Sequence, residues 1–255
     1  MPVKLLNNHL ENNNPLLLIK NLRIDGVSKE NNYINLELKK GEIHAIMGES
    51  GAGKSGIAHV LAGMIRPEHG TILIKNQSVE IKNPLQPLSM GIGVLFQNTT
   101  YSFIPHLTVQ EYLYIWTDSF IISSKRLTEK TIKLLNEYEI NVKPHDLMFE
   151  LNQEECRLLS LMKMLAHEPF MVVLDEPTSD LSEVKKQHFF RIIRKYAEKG
   201  GGVLYLSNKL DEILQISDRV TILKDGGTVD CFPIEYAKKY PKTILGLYFG
   251  REDAY

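Results

Sequence analysis

The chain has 255 residues, 43% of them hydrophobic, so it can bury a substantial core without a disulfide or a structural metal. Its 30 basic and 31 acidic residues nearly cancel, which argues against the positive field of nucleic-acid-binding proteins, and no nucleic-acid partner is expected. The two cysteines, Cys156 and Cys231, lie far apart and form no metal-binding pattern, which favours a reducing, cytoplasmic compartment.

Short apolar runs alternate with helical patterns along the chain, which is typical of βαβ units and a largely parallel sheet. The predicted strands, in chain order, are Leu16–Ile19, Ile34–Leu38, Ile43–Met47, Thr71–Ile74, Ile92–Phe96, Met171–Leu174, Val203–Ser207 and Val220–Lys224. The predicted helices are Lys54–Met64, Val109–Trp116, Thr128–Glu139, Glu154–Ala166, Ser182–Lys199 and Leu210–Gln215. No apolar run approaches the ~20 residues of a membrane-spanning helix, and no secretion signal is readable.

A long stretch in the middle of the chain, residues 98–166, has a helical pattern and no convincing strand. It predicts an all-α insertion into an α/β core. We therefore expect a single domain over residues 1–255, with its core at about 16–97 and 167–230, and the helical subdomain between them. The remaining residues, 231–255, form a C-terminal extension.

The most specific motif is a glycine-rich loop, GESGAGKS at residues 48–55, which matches the phosphate-binding pattern GxxxxGK[ST] between a predicted strand and a predicted helix. Glycines let successive backbone N–H groups converge on phosphate oxygens, and the helix that follows presents its positive end to the same charge. Lys54 adds a cation for the β- and γ-phosphates, and the Ser55 hydroxyl suits Mg²⁺. The implied ligand is a nucleoside triphosphate with magnesium. The predicted binding residues are Gly48, Ser50, Gly51, Gly53, Lys54, Ser55 and Gly56.

A second motif, two adjacent carboxylates, ends an apolar run that fits a buried parallel strand. Ligands of α/β proteins bind at the carboxyl ends of such strands. Asp175 is predicted to hold the magnesium, and Glu176 to polarise the attacking water. The pair is a weak signal alone, since solvated acids in a loop look the same, but it is strong together with the glycine-rich loop.

Together these motifs resemble the ATP-binding cassette (ABC) ATPases, the nucleotide-binding domains of ABC transporters. The resemblance covers about residues 22–229. It implies a P-loop NTPase (RecA-like) α/β core with an antiparallel β edge subdomain and an inserted all-α helical subdomain. It also places Gln97 in the family's Q-loop, as a magnesium ligand and a catalytic residue that links to the transmembrane partner. Residues 66–70, 91–97 and 105–109 look most like the sugar and nucleoside importer branch.

The chain departs from the family at its signature segment, where relatives carry the sequence Leu-Ser-Gly-Gly-Gln and bind the γ-phosphate held by an opposing subunit. The matching residues 151–155 read LNQEE, so small residues are replaced by Gln153 and Glu154, and the glutamine by Glu155. Two like charges about 4 Å apart repel by roughly 4 kcal/mol at an effective dielectric constant near 20, which exceeds what a helix terminus offers an anion. This segment is therefore expected to receive a partner's ATP poorly, although both acids also favour the start of a helix.

Three smaller departures concern the nucleotide itself. Asn208 stands where the family has a histidine that contacts the γ-phosphate, and since it cannot carry a proton, slower hydrolysis is expected. Gly56 replaces a common threonine, with little effect because Ser55 is present. The family usually stacks adenine on an aromatic residue some 20 to 25 residues before the loop, whereas residues 22–30 contain none and Tyr33 is the nearest, in a place that also fits ordinary packing.

By resemblance, the chain is an ATP-binding subunit of an ABC transporter, with ATP and Mg²⁺ as cofactors. It would hydrolyse Mg-ATP to drive transport of a solute such as a sugar or nucleoside, and would dock on transmembrane permease subunits at the cytoplasmic face of the membrane. The altered signature favours a heterodimer with an intact second ABC ATPase subunit over a homodimer. The alternative is a regulatory or scaffold subunit that binds ATP with little or no hydrolysis. A third hypothesis, a role in DNA maintenance or translation, is weaker because the chain has no net basic charge.

Overall fold

Two sheets carry the fold in this computed structural model, which describes residues 14–97, 104, 106–115 and 123–249. The larger sheet has six strands in the order β10-β9-β3-β8-β7-β6, and the smaller has four in the order β2-β1-β4-β5. The strands are β1 (Leu17–Arg23), β2 (Ile34–Leu38), β3 (Ile43–Met47), β4 (His69–Ile74), β5 (Gln77–Val79), β6 (Ile92–Leu95), β7 (Met171–Asp175), β8 (Gly202–Ser207), β9 (Arg219–Lys224) and β10 (Gly227–Pro233).

The six-stranded sheet is parallel except at one edge, where β10 pairs antiparallel with β9. Every residue of β3, β7 and β8 is buried, as expected for parallel strands that are covered on both faces. The carboxyl ends of these three strands therefore lie side by side at one edge, where Met47 pairs with Ser207 and Asp175 pairs with Leu206. The functional loops leave from this edge.

Helices cover the parallel sheet and form a separate lobe beside it. They are α1 (Lys54–Leu61), α2 (Gln86–Ser89), α3 (Val109–Tyr114), α4 (Ser124–Glu137), α5 (Gln153–Leu165), α6 (Glu183–Glu198), α7 (Leu210–Ile216), α8 (Ile234–Lys239) and α9 (Pro241–Phe249), with a 3-10 turn at Met148–Glu150. Helices α3, α4 and α5 form the lobe, and its apolar core is continuous with the residues between α6 and the sheet.

The predicted fold class is confirmed, because the chain is a mixed α/β structure with two sheets and the glycine-rich loop between β3 and α1. Strands β2 and β3 have their predicted bounds. Helix α1 is shorter than predicted and ends before Gly63, whose φ of +68° favours glycine and interrupts the helix. Helix α4 begins earlier than predicted, at Ser124. Trp116, the predicted end of α3, lies outside the described residues.

Within the described part of the chain, no helix has both the length and the apolar character needed to cross a membrane.

Candidate functional site

The glycine-rich loop connects β3 to α1 and leaves the start of that helix open to an anion. Gly51 and Gly53 have φ values of +83° and +110°, which favour glycine. A Cβ on Gly48 would come within 2.8 Å of the Leu223 carbonyl oxygen, so that position also requires glycine. Helix α1 has no acidic residue in its first turn and no side-chain cap, and the amides at its start are therefore available to phosphate oxygens.

Lys54 is buried and folds back over its own loop. Its ammonium donates hydrogen bonds to the carbonyl oxygens of Gly48 at 2.5 Å and of Glu49 at 3.1 Å. Burial lowers the pKa of Lys54, while the carboxylates of Glu176 and Asp175 oppose that shift. The ammonium thus lies between the loop and both predicted acids, in reach of the space that a triphosphate would occupy.

Asp175 ends β7 and is 3% exposed. Burial raises the pKa of its carboxyl group, and the hydroxyl of Ser55 and the Lys54 ammonium counteract part of that shift. Its Oδ1 atom is buried and has no hydrogen-bond partner among the described residues. A buried carboxylate oxygen without a donor is costly, and a cation bound beside it would offset that cost.

Mg²⁺ fits these residues. It takes oxygen ligands in octahedral geometry and usually keeps several waters and phosphate oxygens, so few protein ligands are needed. The hydroxyl of Ser55 and the free Oδ1 of Asp175 are such oxygens. Gln97 follows β6, is exposed, and lines a cavity with both of them, so its amide oxygen is a third candidate.

Glu176 has an unusual backbone conformation, with φ at +43°. A non-glycine residue there stores strain of about 1–3 kcal/mol, and such strain persists where the surroundings fix it. The Glu176 amide donates to the Leu206 carbonyl at 3.0 Å, and its side-chain oxygens accept from the Asn208 amide at 3.0 Å and the Ser207 hydroxyl at 3.4 Å. Burial raises the pKa of Glu176, against the effect of the Lys54 ammonium.

Asn208 contributes its backbone to this arrangement, through the amide that holds the Glu176 carboxylate. Its side chain is exposed and lines the same cavity as Lys54 and Glu176. The contact with Glu176 therefore does not depend on the side chain that differs from the family's histidine.

One cavity of about 520 Å³ collects nearly all the predicted residues. Those that line it are Ser50, Gly51, Gly53, Lys54, Ser55, Gly56, Gln97, Glu176 and Asn208. Asp175 lines an adjoining cleft of about 720 Å³ together with Ser55 and Gln97, and Gly48 lies at the base of the loop. The structure thus brings the predicted set together.

The cavity also has lining residues that the motifs do not indicate, among them Val27, Ile65 and Lys209. None of the described residues that line it is Phe, Tyr or Trp. Tyr33 instead lines a separate polar pocket and meets the His69 ring edge-on, with ring centroids 6.3 Å apart. The half-buried Val27 lies within contact distance of a Cβ placed on Gly53 or Gly56.

The signature segment starts α5, and its own side chains bind its backbone. The Asn152 side chain accepts a hydrogen bond from the Glu155 amide at 2.9 Å, and the Glu155 carboxylate accepts one from the Asn152 amide at 3.0 Å. This reciprocal pair is a capping box. The Glu154 carboxylate accepts from the Ser182 amide at 2.5 Å, and these hydrogen bonds to Ser182 lower the pKa of Glu154. Both acids are thus engaged within the chain.

Comparison with known proteins places the chain in a family. The family model described as "ABC transporter" matches residues 31–179. The chain belongs to the ABC transporter family. It is 34% identical over 80% of its length to a putative ribose/galactose/methyl galactoside import ATP-binding protein of Agrobacterium fabrum, and covers 42% of that protein. It is also 32% identical over 91% of its length to a galactose/methyl galactoside import ATP-binding protein of Photobacterium profundum, and covers 47% of it.

These relatives confirm the predicted resemblance to the sugar importer branch of the ABC family. The chain spans a little under half the length of these curated relatives. Solved structures agree on the fold. An ATP-binding cassette of an ABC transporter in its ADP conformation superposes with a TM-score of 0.78 at 21% identity, covering 93% of this chain and 99% of that one. A second, cbiO1 of Clostridium perfringens, has a TM-score of 0.77 at 20% identity, covering 93% and 97%.

Proposed function

We propose that the chain binds Mg-ATP and hydrolyses it as the ATP-binding subunit of an importer for a sugar of the galactose or ribose class. The names of its relatives support the substrate class, because those proteins are import ATP-binding proteins for such sugars. The observation that carries the proposal is the unpartnered buried Oδ1 of Asp175, which lies next to Ser55 and the Lys54 ammonium at the start of α1.

The glycine-rich loop would bind the phosphates. Amides around Gly51 and Gly53 and at the start of α1 supply donors, and the helix dipole adds favourable charge. Lys54 would exchange its two carbonyl acceptors for β- and γ-phosphate oxygens, which are stronger acceptors because they are charged. Ser55, Asp175 and Gln97 would hold Mg²⁺, which would neutralise charge that develops on the phosphates.

Glu176 would polarise the attacking water. A base is most effective when its pKa lies near the working pH, and burial raises the pKa of Glu176 in that direction. Contacts with the Asn208 amide and the Ser207 hydroxyl fix the carboxylate in place. Asn208 itself cannot supply the proton or charge of a histidine, so we expect slow turnover in this site.

The transporter would need a second ATPase subunit. In this family each nucleotide lies between one chain's phosphate loop and the other chain's signature segment. The start of α5 is anionic here and its capping box uses amides that a phosphate would need. A heterodimer with a partner whose signature is intact would therefore complete the site that contains Lys54 and Glu176, whereas a homodimer would have two weakened sites.

The cleft between the sheet and the helical lobe is the surface we assign to the permease, with the chain at the cytoplasmic face of the membrane. It measures about 720 Å³ and has apolar walls that include Leu88, Phe96 and Met164, and Gln97 also lines it. An apolar segment of a membrane subunit would bury these side chains and contact Gln97 directly. Purification of the complex from membranes would identify both the permease and the second ATPase subunit.

Turnover by the purified complex and by its Glu176→Gln variant tests the proposed activity. Loss of the general base costs about 10²- to 10⁴-fold in rate, so the variant should be nearly inactive while it still binds Mg-ATP. Equal rates in the two proteins would contradict hydrolysis at this site. That result would favour the alternative, a regulatory or scaffold subunit that binds ATP without turnover, which Asn208 and the anionic signature also fit.

A further inference from the structure

Arg157 lies one turn into α5 and is 3% exposed, although its guanidinium carries a charge. Its Nε donates to the Pro177 carbonyl oxygen at 2.8 Å, and its Nη1 to those of Phe96 at 2.9 Å and Gln97 at 3.1 Å. Its Nη2 donates to the carbonyl oxygen of Glu176 at 3.3 Å. One side chain thus joins the signature helix to the segments that follow β6 and β7.

These four carbonyl groups belong to the two segments that carry the predicted chemistry. Glu176 and Pro177 follow β7 directly, and Phe96 and Gln97 follow β6. The carboxylates of Asp175 and Asp180 lie close enough to act on the Arg157 charge, and they offset part of the effect of burial, which lowers its pKa. The Arg157 guanidinium is therefore a buried cation that donates its hydrogen bonds to main-chain carbonyl groups.

The shape of a guanidinium explains why arginine suits this place. Its donors form a rigid planar fork that can bind several acceptors at fixed angles, whereas a lysine ammonium is a single point on a flexible chain. The fork here spans two loops that leave neighbouring strands. It also holds the carbonyl of Glu176, whose φ of +43° needs support from its surroundings.

We propose that Arg157 is a positioning residue that places Gln97 for the magnesium ion and keeps Glu176 in its strained conformation. The inference rests on the proposed function, because it assumes that Gln97 and Asp175 bind Mg²⁺ beside a nucleotide. Arg157 binds the main-chain carbonyl oxygen of Gln97. The exposed side chain of Gln97 therefore remains available for the metal. Arg157 acts on the metal through Gln97 and touches neither metal nor nucleotide itself.

The same contacts link the helical lobe to the metal end of the site. Arg157 belongs to α5, and α5 packs on α3, where the Tyr112 hydroxyl lies 3.1 Å from the Ser160 hydroxyl. A displacement of α5 therefore pulls on the carbonyl groups of Gln97 and Glu176.

The test compares ATP affinity with Mg²⁺ and in EDTA for the wild-type chain, Arg157→Met and Arg157→Lys. Loss of a residue that orients a metal ligand costs about 10- to 100-fold in metal affinity. We expect Arg157→Met to weaken ATP binding about tenfold with Mg²⁺ and little in EDTA, where the phosphate loop acts alone. Arg157→Lys should fall between, since one nitrogen reaches fewer of the carbonyl groups. An equal loss under both conditions would overturn the proposal.

A matched control separates positioning from a general loss of structure. Arg219 is half-buried and, like Arg157, donates to a carbonyl, that of Glu37 at 2.8 Å, but it begins β9, which lies beside the edge strand β10 and away from β6 and β7. Arg219→Met should lower the melting temperature and leave the ratio of ATP affinities with and without Mg²⁺ unchanged. If it changes that ratio as much as Arg157→Met does, the effect is structural and the proposal fails.

A double-mutant cycle tests whether Arg157 acts through Gln97. In a Gln97→Ala background, Arg157→Met should cause no further loss of Mg²⁺-dependent affinity, because the ligand that it positions is gone. Additive losses would contradict the mechanism. The wild-type measurements distinguish failure of the proposed function from failure of the role of Arg157. If the wild-type chain binds ATP neither in EDTA nor with Mg²⁺, the proposed function fails. If the wild-type chain binds ATP and Arg157→Met binds it with the same Mg²⁺-dependent affinity, only the role of Arg157 is refuted.

Discussion

Two helices of this protein begin at positions where the ABC family binds phosphate, and their first turns differ. Helix α1 starts after Gly53 with no side-chain cap and no acid in its first turn. Helix α5 starts at a capping box of Asn152 and Glu155, with Glu154 beside it. The amides at the start of α1 remain available to a ligand, whereas in α5 the Glu155 amide is bound by the Asn152 side chain and the first turn carries two carboxylates. A good helix start and a good phosphate site are therefore competing uses of the same groups.

The largest effect expected from this comparison is a gain of function at α5. Replacing residues 152–155 with Ser-Gly-Gly-Gln removes two carboxylates from the first turn, while serine and glutamine can still form the capping box. Because each like-charge contact with a phosphate costs on the order of 1 kcal/mol or more near a surface, we expect ATP-dependent dimerisation of a Glu176→Gln background to strengthen at least about tenfold. Sedimentation with and without ATP measures this. An unchanged monomer–dimer equilibrium would show that the charge at α5 is not what limits association.

A smaller effect is expected near the start of α1, in the pH dependence of folding stability that Asp175 causes. Burial raises the pKa of Asp175, so the folded protein holds this proton more tightly than the unfolded chain. Its stabilising contribution is complete below the unfolded pKa and is lost as pH rises through the folded pKa. Asp175→Asn should therefore stabilise the nucleotide-free protein by about 1 kcal/mol at about pH 8 and by less at about pH 5. Chemical denaturation at the two pH values checks this, and a constant difference would contradict it.

The smallest effect expected is a difference in stability between two variants at the start of α5, which separates the contribution of the cap from that of the negative charge. Asn152→Ala removes the cap and should cost about 1 kcal/mol of stability. Glu155→Gln keeps the reciprocal contact, since glutamine also completes a capping box, and should change stability far less while it removes one negative charge. Thermal unfolding of both variants provides the measurement. A larger loss in Glu155→Gln than in Asn152→Ala would show that the carboxylate stabilises the helix by its charge.

Much of the fold could be predicted from sequence because its central strands are buried on both faces. The apolar runs of β3 and β7 and the glycine-rich loop are local patterns, and they also indicate where along the chain the residues of the candidate site lie. Strand β5, which reads Gln-Ser-Val, has no apolar pattern and forms because it pairs with β4. Strand β10 also lacks a clear sequence signal, because most of its residues are only partly buried at a sheet edge.

The candidate site was predictable where a single loop or strand end supplies the residues. Lys54, Asp175 and Glu176 lie in such motifs. Arg157 does not, because its acceptors are main-chain carbonyls about 20 and 60 residues away, and any residue type can supply a carbonyl. The φ of Glu176 is also invisible in sequence, since glutamate gives no signal for a left-handed conformation.

The central claim is that the open start of α1, Lys54 and the neighbouring acids bind a magnesium-bound triphosphate. Calorimetry with Mg-ATP on the wild-type chain and Lys54→Ala tests it, with Lys82→Ala as an exposed control that pairs only with Glu80 among the described ion pairs. We expect saturable binding in the wild type and the control, and a loss of about a hundredfold in Lys54→Ala, because charge-assisted hydrogen bonds to phosphate are removed. Absence of binding in the wild type, or equal affinity in Lys54→Ala, would contradict it.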